Sequence, residues 1–260
     1  MRNIANAIAE FMPNSVKKIL RPVYERVFPP ETEPIMYRSE LFKELVDLGV
    51  NDRFAGKRVL EIGPKDGRDS NRLASLRPSE LVMIDLPEKS ANNEIWLREL
   101  GCPHRYIEAN FMYLPVAEYQ GLGKFSLVWC TGVLYHNAEQ LRMLRKLYKL
   151  LDVGGFLVLE SALMRAPKYL RDRMLVEIHY PQTHRDTGTV THLPTIRAIK
   201  AWLTMAGFRE ITDSNCYRKY NSDVITQRYA CICRKAKEDE GDSYYQKSGL
   251  NPKYRFGDST

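Results

Sequence analysis

Seven short apolar runs punctuate the middle of the chain: RVLEI at 58–62, ELVMI at 80–84, RYI at 105–107, SLVWC at 126–130, FLVLE at 156–160, REITD at 209–213 and RYACIC at 228–233. Between them lie SELFKELVDLG, DSNRLASL, ANNEIWLREL, AEQLRMLRKLYKLL and PTIRAIKAWLTMAG, whose apolar residues return every three or four positions. In the fourth of these, Leu141, Leu144, Tyr148 and Leu151 fall on one helical face. Strands that read as unbroken apolar runs are covered on both sides, and their alternation with helices calls for parallel crossovers. The pattern therefore predicts an α/β protein with a mostly parallel sheet and helices on both faces.

These elements span residues 35–236, read as one domain, and 44% hydrophobic content over 260 residues is enough for a sizeable core. Residues 162–193 exceed what a crossover needs and read as a lid insertion. Residues 1–34 form a basic helical leader ending in the proline-rich linker FPPETEP, and 237–260 form a polar tail. The longest aliphatic runs, LVMI and FLVL, are too short to span a bilayer, and no charged-then-apolar signal opens the chain, so a cytoplasmic protein is expected. Five scattered cysteines fit reduced thiols. Cys231 and Cys233 share a strand face, but no second pair completes a zinc site. A net charge of +7 raises nucleic acid or an anionic membrane as partners, yet the charges are dispersed as on an ordinary solvated surface.

Candidate chemistry begins at VLEIGPKDGRDS, residues 59–70, which forms the first strand, its exit turn and the next helix start. In a parallel sheet the ligand lies beyond the carboxyl ends of the strands, where Gly63 and Gly67 would let the backbone turn tightly and approach it. Asp85 closes the next strand and is placed to accept the two hydroxyl protons of a ribose, which points to a nucleoside. A dinucleotide fold shares this pair, but EIGPKDG lacks the G-x-G-x-x-G pattern suited to a pyrophosphate.

EIGPKDG, the EANFMYLP that follows the third strand, and TGVLYHNAEQ after the fourth together resemble the class I S-adenosylmethionine-dependent methyltransferases, small-molecule type with a GVLYH motif, over roughly 35–235. The first motif is similar to the family's D/E-x-G-x-G-x-G, with Lys65 where a glycine is usual. The resemblance implies a Rossmann-like seven-stranded sheet and S-adenosylmethionine as cofactor. It implies Glu61 at the methionine amino group, Gly63 and Gly67 beside the methionine, and Asp85 on the ribose. Asn110 and Phe111 would meet the adenine, Phe111 through its amide and ring, and Thr131 and Gly132 would flank the methionine and sulfonium.

Methyl transfer needs an acceptor held in line, water excluded and, for a hydroxyl nucleophile, a proton removed. His136 is the candidate base and Tyr135 a wall of the pocket; the histidine could instead pack or cap. His179, His184 and His192 in the lid are candidate acceptor contacts, and their spacing matches no metal site. The main reading is methylation of an O or N atom of a small-molecule or sugar acceptor, in surface-polysaccharide or secondary metabolism. GVLYH and TIRAIKAWL are also similar to the tRNA wobble-uridine carboxymethyltransferases, which use carboxy-S-adenosylmethionine; against nucleic acid as partner stands the lack of a basic stripe with interleaved aromatics. A cofactor-binding scaffold without turnover is the third alternative.

In residues 1–28, Val16, Ile19, Leu20, Val23 and Val27 follow helical spacing with Lys17, Lys18, Arg21 and Arg26 opposite, and Pro22 divides the helix. Such a segment can lie on an anionic bilayer, placing the protein at the inner membrane surface; packing over the cleft or a homodimer contact would use the same pattern. Each basic residue adds about 1 kcal/mol at such a surface, so the membrane reading predicts weak sedimentation with anionic liposomes at low salt. Equal sedimentation of the full chain and a form lacking 1–28 would exclude it.

Overall fold

The computed structural model describes residues 35–87, 93–164, 168–180, 190–220 and 228–238. The leader, the tail beyond 238 and His184 lie outside them. The chain divides into two units, Met1–Glu40 and Leu41–Thr260. Of the first, residues 35–40 begin helix α1 (Ile35–Leu45).

The second unit alternates as the apolar runs foretell. β1 (Arg58–Ile62) leads to α2 (Arg68–Ala74), β2 (Glu80–Asp85), α3 (Asn93–Arg98) and β3 (His104–Glu108). Next come α4 (Val116–Gly121), β4 (Phe125–Thr131), α5 (Gln140–Leu150) and β5 (Leu151–Ala162). A short helix, α6 (Lys168–Arg171), precedes β6 (Val176–His179) and β7 (Thr191–Pro194). α7 (Ile196–Ala206), β8 (Arg209–Asp213), α8 (Asn215–Tyr220) and β9 (Arg228–Arg234) complete it. Seven strands form one sheet in the order β3-β2-β1-β4-β5-β9-β8. The first five are parallel, and β9 runs antiparallel to both β5 and β8. The fold is the Rossmann-like mixed sheet expected.

Val59, Leu60, Leu81, Val82, Leu127 and Val128 are fully buried, so successive residues of the central strands find cover on opposite faces. α5 lays Met143, Leu144, Leu147 and Tyr148 on the sheet, with the Tyr148 ring perpendicular to Phe208 at 5.0 Å. Thr195 caps α7 by accepting from the Ala198 N–H at 3.3 Å, and Gly207 ends it at φ 111°. Leu151, expected to close a helix, instead opens β5, because its ψ of 142° is extended.

The segment read as a lid contains a hairpin that hydropathy does not reveal. β6 and β7 pair antiparallel, from Val176 opposite Pro194 to His179 opposite Thr191. VEIH and THLP are too short and too mixed in polarity to stand out as strands. β7 packs against the turn Leu134–His136, which brings the hairpin to the carboxyl edge of β4.

Candidate active site

Four turns leave the carboxyl ends of β1, β2, β3 and β4 side by side, and the expected cofactor residues lie on them or on the strand ends that feed them. The first turn is held by its glycines and by Asp85. Gly63, Lys65 and Gly67 have φ of 73°, 55° and 74°, and the Gly63 N–H donates to the Ile84 carbonyl at 2.9 Å. Lys65 takes the left-handed conformation that a glycine adopts without strain, and its side chain is exposed. Asp85 is half-buried and accepts from the Lys65 N–H at 3.1 Å and from the Leu86 N–H at 2.8 Å. The expected ribose ligand is therefore also the brace of the glycine turn.

Two buried carboxylates lie beneath this turn. Glu61, 1% exposed, accepts from the Ser70 hydroxyl at 2.6 Å. Asp69, 4% exposed, accepts from the Trp129 indole and the Thr131 hydroxyl, both at 3.2 Å, and from Arg72 at 2.6 Å. Asp69 was missed from the sequence because its partners on β4 stand 60 and 62 positions away. The Thr131 side chain is thus turned into the protein, which leaves its backbone and Gly132 as the groups expected to flank the methionine. Gly132 has φ 76° and donates its N–H to the Glu160 carbonyl at 3.0 Å.

After β3, the Asn110 side chain accepts from the Met112 N–H at 3.0 Å and caps a single 3₁₀ turn, Phe111–Tyr113. An amide oxygen has a second lone pair, and its NH₂ is not consumed by the cap, so an adenine edge can still be met there. The Phe111 ring cannot serve that purpose as expected. It is 4% exposed and packs on Tyr119 at 6.3 Å, drawn into the core by its own apolar surface, which leaves the Phe111 backbone as the group to offer.

At the far end, the Tyr135 and His136 rings lie 4.1 Å apart with His136 exposed. Behind Tyr135 stands a feature that sequence reading did not find: Arg228, at the start of β9, lies 5.5 Å from the Tyr135 ring and pairs with the fully buried Glu160. Its Nη2 is 2.9 Å from Oε2, and Nε donates to Oε1. Burial works against the guanidinium charge, but Glu160 beside it outweighs that and raises the pKa. Gln140, 3% exposed, donates to the Leu134 carbonyl at 3.2 Å and the His192 carbonyl at 2.8 Å, which ties the hairpin to this turn. His192 therefore stands beside the turn that bears Tyr135 and His136. His179 instead engages Glu177 of its own strand at 3.1 Å.

The donor set suits S-adenosylmethionine: a half-buried carboxylate for a diol, buried acid under a glycine turn for an ammonium, and an amide edge for a purine. Residues 36–212, well over half of the chain, match the family model described as a methyltransferase domain. The chain belongs to the class I S-adenosylmethionine-dependent methyltransferases. Among curated relatives, the tRNA U34 carboxymethyltransferase of Desulforapulum autotrophicum is 31% identical over 173 residues, covering 62% of this chain and 49% of that protein. The Campylobacter lari protein of the same name is 26% identical over 191 residues, covering 73% of this chain and 58% of its own length. This methyltransferase thus spans about half the length of the curated relatives it matches. Among solved structures, the N-terminal domain of EvdMO1 with S-adenosylhomocysteine bound is similar in fold, with a TM-score of 0.56 and 17% identity over 75% of this chain and 80% of that one.

For this methyltransferase, Asp85→Ala removes both the expected ribose acceptor and the brace on Lys65. Charge-assisted hydrogen bonds contribute about 1.5–3 kcal/mol each, so S-adenosylhomocysteine affinity measured by calorimetry should fall at least tenfold. A Cβ on Gly63 would come within 2.5 Å of the Val133 side chain, so Gly63→Val should lower the melting temperature as well as the affinity. Unchanged affinity in both variants would move the cofactor elsewhere.

Proposed function

We propose that this chain alkylates a nucleoside of tRNA, at the wobble uridine, from an S-adenosylmethionine-type donor bound across the glycine turn and Asp85. The observation that carries the reading is the similarity to curated tRNA U34 carboxymethyltransferases, 31% identical in the Desulforapulum protein and 26% in the Campylobacter one. The small-molecule reading favoured by sequence alone takes second place on that ground.

The cofactor supplies an activated carbon on a sulfonium. The chain's residues supply orientation, exclusion of water and a proton acceptor. Asp85 and the turn after β3 would hold the nucleoside end, with Gly132 beside the methionine end. His136, exposed beside Tyr135, takes the proton if the nucleophile is a hydroxyl. A carboxymethyl group differs from a methyl by a negative charge. Arg228 supports the carboxylated donor, because Glu160 orders its guanidinium, which lies 5.5 Å from the Tyr135 ring. Such a cation, already ordered by a buried acid, reads a carboxylate without a new ordering cost.

One observation favours the second reading, a small-molecule or sugar acceptor. The exposed side chains Met174, Val176, Ile178 and Tyr180 on and around β6 are apolar, whereas RNA contact calls for cations.

The test is incubation of the protein with S-adenosylmethionine or its carboxylated form and tRNA whose wobble uridine bears a free hydroxyl on the base and no alkyl group, followed by nucleoside mass analysis. A carboxymethylated or methylated uridine is expected, with the carboxylated donor preferred. Product found solely in a small-molecule fraction of a cell extract would establish the second reading instead. On whichever acceptor turns over, His136→Ala should lower the rate by about 10²–10⁴ with cofactor affinity held. A near-normal rate would reduce His136 to a wall of the pocket.

A further inference from the structure

We infer that Lys146, on α5, is a positioning residue for purine recognition. It fixes the turn that carries Asn110 and Phe111 although it does not itself lie on that turn. The inference rests on the reading of residues 110 and 111 as the adenine edge.

A single 3₁₀ turn is too short to satisfy its own last carbonyls. Lys146 Nζ supplies the missing partners, donating to the Phe111 carbonyl at 2.7 Å and the Met112 carbonyl at 3.0 Å. The ammonium also lies 4.9 Å from the centre of the Phe111 ring and 4.8 Å from that of Tyr119. Tyr119 returns the contact by donating its hydroxyl to the Lys146 carbonyl at 2.8 Å. One side chain therefore joins α5, α4 and the turn after β3.

The carbonyls that it holds belong to the residues directly after Asn110. At the other end of the turn, the Ala109 N–H donates to the Asp85 carbonyl at 2.8 Å, so the segment is pinned on both sides. The Asp85 side of the pin serves ribose and the glycine turn; the Lys146 side has no residue of the ribose or methionine regions among its partners. Loosening it should blur the choice of base more than it disturbs the rest of the cofactor.

Calorimetry with S-adenosylhomocysteine and S-inosylhomocysteine, which carries an oxo group in place of the adenine amine, tests this in Lys146→Met, Lys146→Gln, Lys146→Arg and Asn110→Ala. Lys146→Met and Lys146→Gln should weaken S-adenosylhomocysteine about tenfold and shrink its preference over the inosine ligand, with Lys146→Arg restoring most of it. A purely structural lysine would change stability but leave that preference intact. If Asn110→Ala loses the preference while folded Lys146→Met and Lys146→Gln keep it, the role of Lys146 is overturned. If all three keep it, the purine does not lie on this turn, and the inference falls with that reading.

Discussion

A parallel run of five strands puts all its carboxyl ends on one edge, and the exits from those strands must turn there before each crossover helix begins. The candidate site is that edge. Glu61, Asp85 and Thr131 are terminal or near-terminal strand residues, and Gly63, Gly67, Asn110 and Gly132 occupy the turns beyond them. None of these groups is a neighbour in sequence of the set on the next strand. Strand direction alone assembles them.

The edge also concentrates buried charge, and each acid has a named partner. Ser70 serves Glu61; Trp129, Thr131 and Arg72 serve Asp69; Arg228 serves Glu160. Pairing of this kind offsets desolvation more than it adds stability, and for the two ion pairs, Arg72 with Asp69 and Arg228 with Glu160, removing one member commonly costs about 3–5 kcal/mol. What the pairs provide is fixed geometry. Asp69 locks the end of β4 to the first turn of α2, and Glu160 keeps Arg228 ordered behind Tyr135.

The strands were legible because central strands are apolar on both faces, and the glycine turn and Asp85 were legible because a motif places them at a strand end. What escaped reading depends on partners distant in sequence or on short elements with weak patterns. The hairpin of β6 and β7 lacks length, and β7 lacks clean alternation. The Phe111 ring looked free for a base, since nothing in EANFMYLP announces that Tyr119 and Lys146 draw it inward. Arg228 gave no signal, because its meaning comes from Glu160 on a strand 68 positions earlier. The acceptor was harder still: the dispersal of the positive charges argued against RNA, while similarity to curated relatives argues for it.

The position of β9 bears on biosynthesis. This strand is the last in sequence among the described elements, yet it occupies an interior slot between β5 and β8. On a ribosome, β5 exposes an apolar, unpaired edge from the time it emerges until residues 228–234 follow, and β8 has no sheet to join in that interval. A bare edge of this kind invites pairing with other chains. The nascent protein thus passes through a window of vulnerability that closes when β9 slides in, which makes the rate of translation through residues 228–234 and access to chaperones a determinant of yield.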